Sequence, residues 1–284
     1  MEAKAVMLDF DGTLTEMGAH TPSKEMVKTL VRLSKKMPFA VCTGRNLDSF
    51  VRRGLDLFKD QIPAEDLDQF LSQLHLVAEN GALGYFYDPK AGEFKQFYEE
   101  QWPEKYISRD KLKTEIGELV TSYGELFENA HKVAVVYRTN LYGNEDSVIK
   151  EVYKLSRNIY EAAVKYLEEF DPGYEEYLHV GDSGIGVLVI PSNADKDSGI
   201  RHFSKYLQEE KGMQLSDNSR EIVVIGDRPL PGGNDHFFLN GRDGTAYTVG
   251  DMVEGSEFPR AVMGPDGGRL LNSKGTIYLL NQLI

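Results

Sequence analysis

A short apolar run, Ala5-Val6-Met7-Leu8, leads directly into Asp9-Phe10-Asp11-Gly12-Thr13-Leu14-Thr15, and this junction constrains the fold more than any other stretch. An apolar segment of strand length closed by Asp-x-Asp-Gly reads as a buried parallel strand. Its C-terminal tip opens into a crevice, where open α/β sheets bind their ligands. Gly12 lets the chain turn sharply at that tip. Residues two apart on an extended strand share a face, so Asp9 and Asp11 are expected to converge, and two close carboxylates resist joint ionisation. A divalent cation relieves that repulsion. An all-oxygen donor set suits Mg2+, which takes one or two carboxylates, several waters and a substrate phosphate.

The following residues repeat the strand-and-tip pattern. Thr21-Pro22-Ser23 opens a helix with Met26, Leu30, Leu33 and Met37 at helical spacing, stopped by Pro38. Residues 39–42 read as a second buried strand, and Thr43-Gly44-Arg45-Asn46 as its tip, feeding a helix through Phe50, Val51 and Leu55. The two strands and their helix make a right-handed βαβ unit. A Thr at such a junction either caps the helix or presents its hydroxyl, with neighbouring N–H groups, to a phosphate oxygen. A third strand over 75–78 ends in Glu79-Asn80-Gly81-Ala82.

From residue 83 the pattern changes to an alternating aromatic hairpin around Asp88-Pro89-Lys90-Ala91-Gly92, so a domain boundary is expected there. A helix over 112–123, a strand over 131–137, a long helix over 147–169 and an antiparallel strand pair over 177–180 and 185–190 follow. The expected organisation is therefore a core of residues 1–82 and 191–284 interrupted by a compact α+β insert over 83–190. The aromatic hairpin, with Tyr85, Phe86, Phe94 and Phe97, leaves two readings open, a homodimer surface or the core of the insert. Beyond the insert, Lys196 stands at a helix start, where a cation opposes the helix dipole and so points to a functional role. Glu221-Ile222-Val223-Val224-Ile225 is the last strong parallel strand, closed by Gly226-Asp227 and Pro231-Gly232-Gly233-Asn234-Asp235-His236. Asp227 is positioned to complete the metal site begun by Asp9 and Asp11, while Asn234 and Asp235 ligate through water or orient the ligands.

Composition narrows the partners. A net charge of −13 disfavours nucleic acid and anionic membranes, and it obliges any phosphate site to carry its own local positive potential. The longest apolar runs are strand-sized and no signal-peptide pattern precedes the first strand, so a cytoplasmic location is expected. A lone cysteine, Cys42, excludes an intrachain disulfide; inside its apolar strand it reads as a buried thiol.

The chain resembles the haloacid dehalogenase-like phosphohydrolases at four places in the correct order: Asp9-Phe10-Asp11-Gly12-Thr13, Thr43-Gly44-Arg45, Lys196 and Gly226-Asp227. The resemblance implies a Rossmann-like, doubly wound parallel sheet carrying an inserted α/β cap, a class also suggested by Glu79-Asn80-Gly81-Ala82. It implies that Asp9 is the nucleophile that becomes phosphorylated, Asp11 the acid and base, Thr43 and Lys196 the holders of the transferring phosphoryl group, and Mg2+ the cofactor. Gly44, Arg45, Asn80 and Arg138 are the candidate substrate contacts, Arg138 because cap arginines recognise phosphate bidentately. The loop from Gly226 to Asp235 resembles that of eukaryotic-type phosphomannomutases, whereas Thr43-Gly44-Arg45 is the phosphatase-like form. The expected activity is hydrolysis of a phosphorylated sugar or similar small metabolite, with a sugar-phosphate mutase and a catalytically silent binding module as the alternatives.

Overall fold

The computed structural model of the chain describes every residue except 1, 17, 18, 20, 120–123, 130, 138–145 and 185. Packing divides it into two compact units, Met1–Glu99 with Lys196–Leu230 and Asp235–Ile284, and Glu100–Asp195 with Pro231–Asn234.

The first unit opens with β1 (Ala5–Asp9), α1 (Lys24–Ser34) and β2 (Phe39–Cys42). Ser23 caps α1, its hydroxyl accepting from the Met26 N–H at 3.1 Å. The helix expected after Thr43 is broken into α2 (Leu47–Phe50), a π turn (Val51–Leu55) and α3 (Asp56–Phe58). Then come α4 (Ala64–Gln73), β3 (Leu74–Ala78) and the aromatic hairpin β4 (Leu83–Asp88) and β5 (Glu93–Glu99).

That hairpin corrects the expected boundary. β4 pairs antiparallel with β3, Ala78 opposite Leu83, so the hairpin extends the main sheet and the second unit begins at Glu100 rather than at residue 83. The connection from β3 is too short for a parallel crossover, which leaves antiparallel pairing with the exposed sheet edge. Its rings are therefore not the core of the insert. Phe97 and Phe86 pack on Tyr206 with ring centroids 4.4 and 5.6 Å away, and Tyr98 stacks on His202, all inside the first unit.

The second unit holds α5 (Arg109–Leu119), β6 (Gly124–Asn129), β7 (Lys132–Tyr137), α6 (Asp146–Phe170), β8 (Leu178–Asp182) and β9 (Gly186–Pro191). Its strands form an antiparallel sheet in the order β6-β7-β9-β8. Ile159, Ala163 and Leu167, spaced four apart on α6, close its core against Val133, Val135, Leu178 and Val189.

The chain returns to the first unit with α7 (Lys196–Lys211), β10 (Ile222–Gly226), β11 (Thr245–Thr248), β12 (Arg260–Ala261) and α8 (Asn272–Leu283). Thus two further parallel strands follow the one that reads as last in the sequence. The sheet order is β12-β11-β10-β1-β2-β3-β4-β5, parallel from β12 to β3. From β1 the chain winds outward through β2 and β3, and it re-enters on the opposite side at β10. The strand order therefore reverses between β1 and β10, where open α/β sheets leave a crevice beyond the strand ends. Asp9 and Asp227 stand at those two ends. Among the described residues no helix is long and apolar enough to cross a membrane.

Candidate active site

The parallel register sets Leu8 beside Ile225, which brings the tips of β1 and β10 together. Asp9 ends β1 and Asp227 follows Gly226; Asp235, eight residues further on, folds back against them. Carboxylate oxygens of Asp9, Asp227 and Asp235 all lie within 4.8 Å of one another, and all three residues are buried. Lys196, at the start of α7, reaches into this cluster and donates from Nζ to Asp9 Oδ1 at 2.5 Å and to Asp235 Oδ1 at 2.6 Å. The other Asp235 oxygen accepts from the Asp227 and Arg228 N–H groups at 3.0 and 3.2 Å. Asp235 is thus saturated by protein donors and orients its neighbours, whereas Asp9 keeps Oδ2 open to other partners.

One ammonium faces three buried carboxylates, and the titration of the cluster records that imbalance. Burial pushes Asp9 up to about 7, against the pull of Lys196. Burial, joined by the charges of Asp235 and Asp9, pushes Asp227 up to about 9. Asp235, despite a burial that opposes ionisation, is held below the ordinary carboxylate range by Lys196 and its two backbone donors. Lys196 rises well above its ordinary value because Asp235 and Asp9 outweigh its burial. Two carboxylates are therefore left without a counter-charge, a deficit that one divalent cation matches, and every donor is oxygen, as Mg2+ prefers. The residues present fit that ion.

Asp11 does not converge with Asp9. β1 ends at Asp9, so the alternation of a strand no longer applies two residues later, where Gly12 turns the chain with φ of 82°. The Asp11 side chain is 60% exposed and accepts from Arg45 Nη2 at 2.9 Å, outside the buried cluster. Arg45 is fastened on three sides: Nη1 donates to the Arg53 carbonyl at 2.9 Å, Nη2 holds Asp11, and the guanidinium lies 4.4 Å above the Phe10 ring. Expected from the sequence as a substrate contact, it is engaged here with the residue expected to move protons.

Thr43 is buried at the tip of β2, where its hydroxyl accepts from the Arg45 N–H at 3.3 Å. It does not cap the following helix: Asn46 does, accepting from the Ser49 N–H at 2.8 Å. The helix thus starts later than the Thr-Gly-Arg pattern suggests, and the loop 43–45 is left as irregular backbone. The Glu79–Gly81 turn locks that loop, with Asn80 N–H donating to the Thr43 carbonyl at 2.9 Å and Glu79 N–H to the Arg45 carbonyl at 3.1 Å. Glu79 and Asn80 both have positive φ, 54° and 62°, a strained pair that survives only because these bonds determine it. Tyr98 of the hairpin adds a third brace, donating to the Gly81 carbonyl at 3.0 Å. Gly44 sits under Asn80: a Cβ there would meet Asn80 Oδ1 at 3.0 Å.

Of the remaining candidates, Asn234 belongs to the second unit, and its buried Oδ1 has no protein partner. Arg138 lies outside the described residues. His236 is a structural hydrogen bonder, its Nδ1 2.9 Å from the Pro229 carbonyl. Sequence reasoning missed Gly250. A Cβ at that position would stand 2.0 Å from the Asp227 carbonyl oxygen, so only glycine lets the backbone after β11 support the Asp227 tip. Val249-Gly250-Asp251 carries no chemical signature that would reveal this.

No family model and no curated protein matches the chain. Solved structures do. The chain is similar over 99% of its length to an N-terminally truncated, IMP-bound IMP-nucleotidase of Plasmodium falciparum, covering 68% of that protein with a TM-score of 0.64 at 15% identity. The C-terminal domain of the C. albicans trehalose-6-phosphate phosphatase matches with a TM-score of 0.61 at 16% identity, over 99% of this chain and 92% of that one. A haloacid dehalogenase-like hydrolase from Bacteroides thetaiotaomicron matches over the whole of both chains, with a TM-score of 0.58 at 14% identity. The class this defines is an open α/β sheet interrupted by an α+β insert. It is the fold of the haloacid dehalogenase-like hydrolases, as the four sequence motifs imply. The neighbours lend nothing to the phosphomannomutase resemblance of the loop after β10.

Proposed function

We propose that this chain is a Mg2+-dependent phosphatase that cleaves the phosphate monoester of a small sugar-linked metabolite through an aspartyl phosphate on Asp9. The observation that carries the reading is the buried Asp9 carboxylate at a strand tip, with Lys196 on one oxygen and Asp227 and Asp235 within 4.8 Å. Asp9 Oδ2 attacks phosphorus, the bond from phosphorus to the alcohol oxygen breaks, and Asp11 protonates the departing alkoxide. In the second half water attacks the aspartyl phosphate, its proton passes to Asp11, and inorganic phosphate leaves with Asp9 restored. Lys196 favours the ionised form of Asp9 against its burial and faces the negative charge of the incoming phosphoryl group, and Thr43, which follows the Cys42 partner of Asp9 on β2, donates its hydroxyl to the same group. Asp9 and Asp227 would hold Mg2+, which offsets the repulsion between carboxylate and phosphate when bound. The names of the similar structures include IMP and trehalose 6-phosphate, both phosphate monoesters on a sugar, which supports that substrate class. Residues 100–195 take the place of a specificity cap in this reading.

Phosphorus NMR tests it. Growth of inorganic phosphate from one of a panel of hexose phosphates, trehalose 6-phosphate and IMP, dependent on Mg2+ and lost in Asp9→Asn, is the expected result. Interconversion of hexose 1- and 6-phosphate signals would replace the phosphatase by a mutase, and turnover unchanged in Asp9→Asn would refute the nucleophile.

A further inference from the structure

A simple insert needs two crossings of the chain between units, but this chain makes four, because Pro231–Asn234 belongs to the second unit while both flanking segments belong to the first. The additional crossings fall inside the loop that joins Asp227 to Asp235. The neck of that loop is closed within the first unit. Asp235 Oδ2 accepts from the Asp227 and Arg228 N–H groups, the Asp235 N–H donates to the Arg228 carbonyl at 3.2 Å, and His236 Nδ1 meets the Pro229 carbonyl. Its tip is closed within the second unit. The Asp182 N–H donates to the Gly232 carbonyl at 2.6 Å, and Gly233 forms a parallel bridge with Asp182.

Asp182 is itself fixed. Its Oδ1 accepts from Ser156 Oγ of α6 at 2.6 Å and from the Gly184 N–H at 2.7 Å, and Ser156 is fully buried. Gly232 has φ of 82°, and a Cβ there would come within 2.8 Å of the Tyr160 ring, so the tip accepts no larger residue without moving. Pro229 and Pro231 restrict the arm between neck and tip.

We propose that the second unit holds the Asp227–Asp235 loop through this tether, making Gly232, Asp182 and Ser156 positioning residues for the metal-binding carboxylate of Asp227 and for Asp235, which orients it. The inference rests on the metal reading made above, in which Asp9 and Asp227 hold the cation and Asp235 orients them. It also runs in reverse: if the tether sets the loop for a cation, cation binding must stabilise the turn between β8 and β9 by the same coupling.

The test is binding of Mn2+, an oxygen-seeking stand-in for Mg2+, followed by electron paramagnetic resonance on the full chain. Gly232→Ala and Ser156→Ala are each expected to weaken binding by about tenfold or more, the usual scale for residues that orient metal ligands. Gly212→Ala is the control: it also has positive φ, 65°, but open space around it, and it is expected to bind as wild type. Amide exchange at Gly181–Gly184 is expected to slow when Mn2+ binds. If Gly232→Ala does not fold, Ser156→Ala decides. Wild-type affinity in both variants, or in Ser156→Ala alone when Gly232→Ala does not fold, overturns the tether. Asp227→Ala separates the two failures, since undiminished Mn2+ binding in that variant overturns the metal reading itself.

Discussion

Acidification is expected to destabilise this fold through one buried imidazole. His75 lies in β3 with no exposed surface, its ring 5.0 Å from Phe203 and 5.3 Å from Tyr206. Nδ1 faces the Gln73 carbonyl at 3.0 Å, so it carries the proton of the neutral ring, and the buried Nε2 has no partner. A second proton would place a charge and an unsatisfied N–H inside the core. Burial accordingly lowers the pKa from 6.5 to about 4, with the Gln73 hydrogen bond offsetting only part of the effect. Above the unfolded value both states are neutral and His75 contributes no pH dependence. As pH falls below it, the unfolded chain takes up a proton that the folded chain refuses. Stability then drops by about 1.4 kcal/mol per pH unit until the folded pKa is reached, about 3 kcal/mol in all. Asp9 and Asp227 act with the opposite sign. Their raised values mean that the folded chain binds protons the unfolded chain releases, so their contribution grows as pH falls. A comparison with His75→Phe, which keeps an aromatic ring and leaves both carboxylates in place, removes that background. Urea denaturation of both proteins from about pH 7.5 to about pH 4.5 should show the wild type losing ground steadily to the variant. A difference that stays flat across this range would refute the argument.

If Asp9 is the nucleophile proposed above, Asp9→Asn is expected to lower kcat by more than about a thousandfold while leaving the circular dichroism spectrum unchanged. Arg45→Ala separates two roles in one steady-state measurement: release of Asp11 lowers kcat, by about ten- to a hundredfold on the scale of acid–base catalysis, whereas loss of a substrate contact raises KM with kcat unchanged. The Asp11–Arg45 pair predicts the first pattern. Gly250→Ala is expected to cost about 1–3 kcal/mol in urea denaturation and to weaken divalent-cation binding, because the added methyl meets the backbone carbonyl of Asp227 and not a side chain able to turn away. A stable variant with wild-type cation affinity would show that the β11 tip does not support Asp227.

Much of the fold is written locally. Runs of apolar residues of strand length, each closed by a polar residue or glycine, identify β1, β2, β3 and β10, since a parallel strand buried on both faces must be apolar throughout. The helical spacing of Met26, Leu30 and Leu33 and the Ser23 cap do the same for α1. The hairpin of residues 83–99 shows where local pattern stops being sufficient. Alternating aromatics report that one face is buried, not against what, and the answer was α7, more than a hundred residues away in sequence.

The candidate site divides in the same way. The sequence by itself determined the chemical groups, Asp9, Asp11, Thr43, Lys196, Asp227 and Asp235, because side-chain chemistry and strand-end placement are properties of short stretches. Only the tertiary structure decided how they are used: that Asp235 is saturated by Lys196 and two N–H groups, that Asp11 turns outward to Arg45, and that Gly250 backs Asp227. These depend on which residues meet across long separations, and burial then sets their charges. A carboxylate has one ordinary affinity for a proton in a sequence, and acquires another only when the fold removes its water and chooses its neighbours.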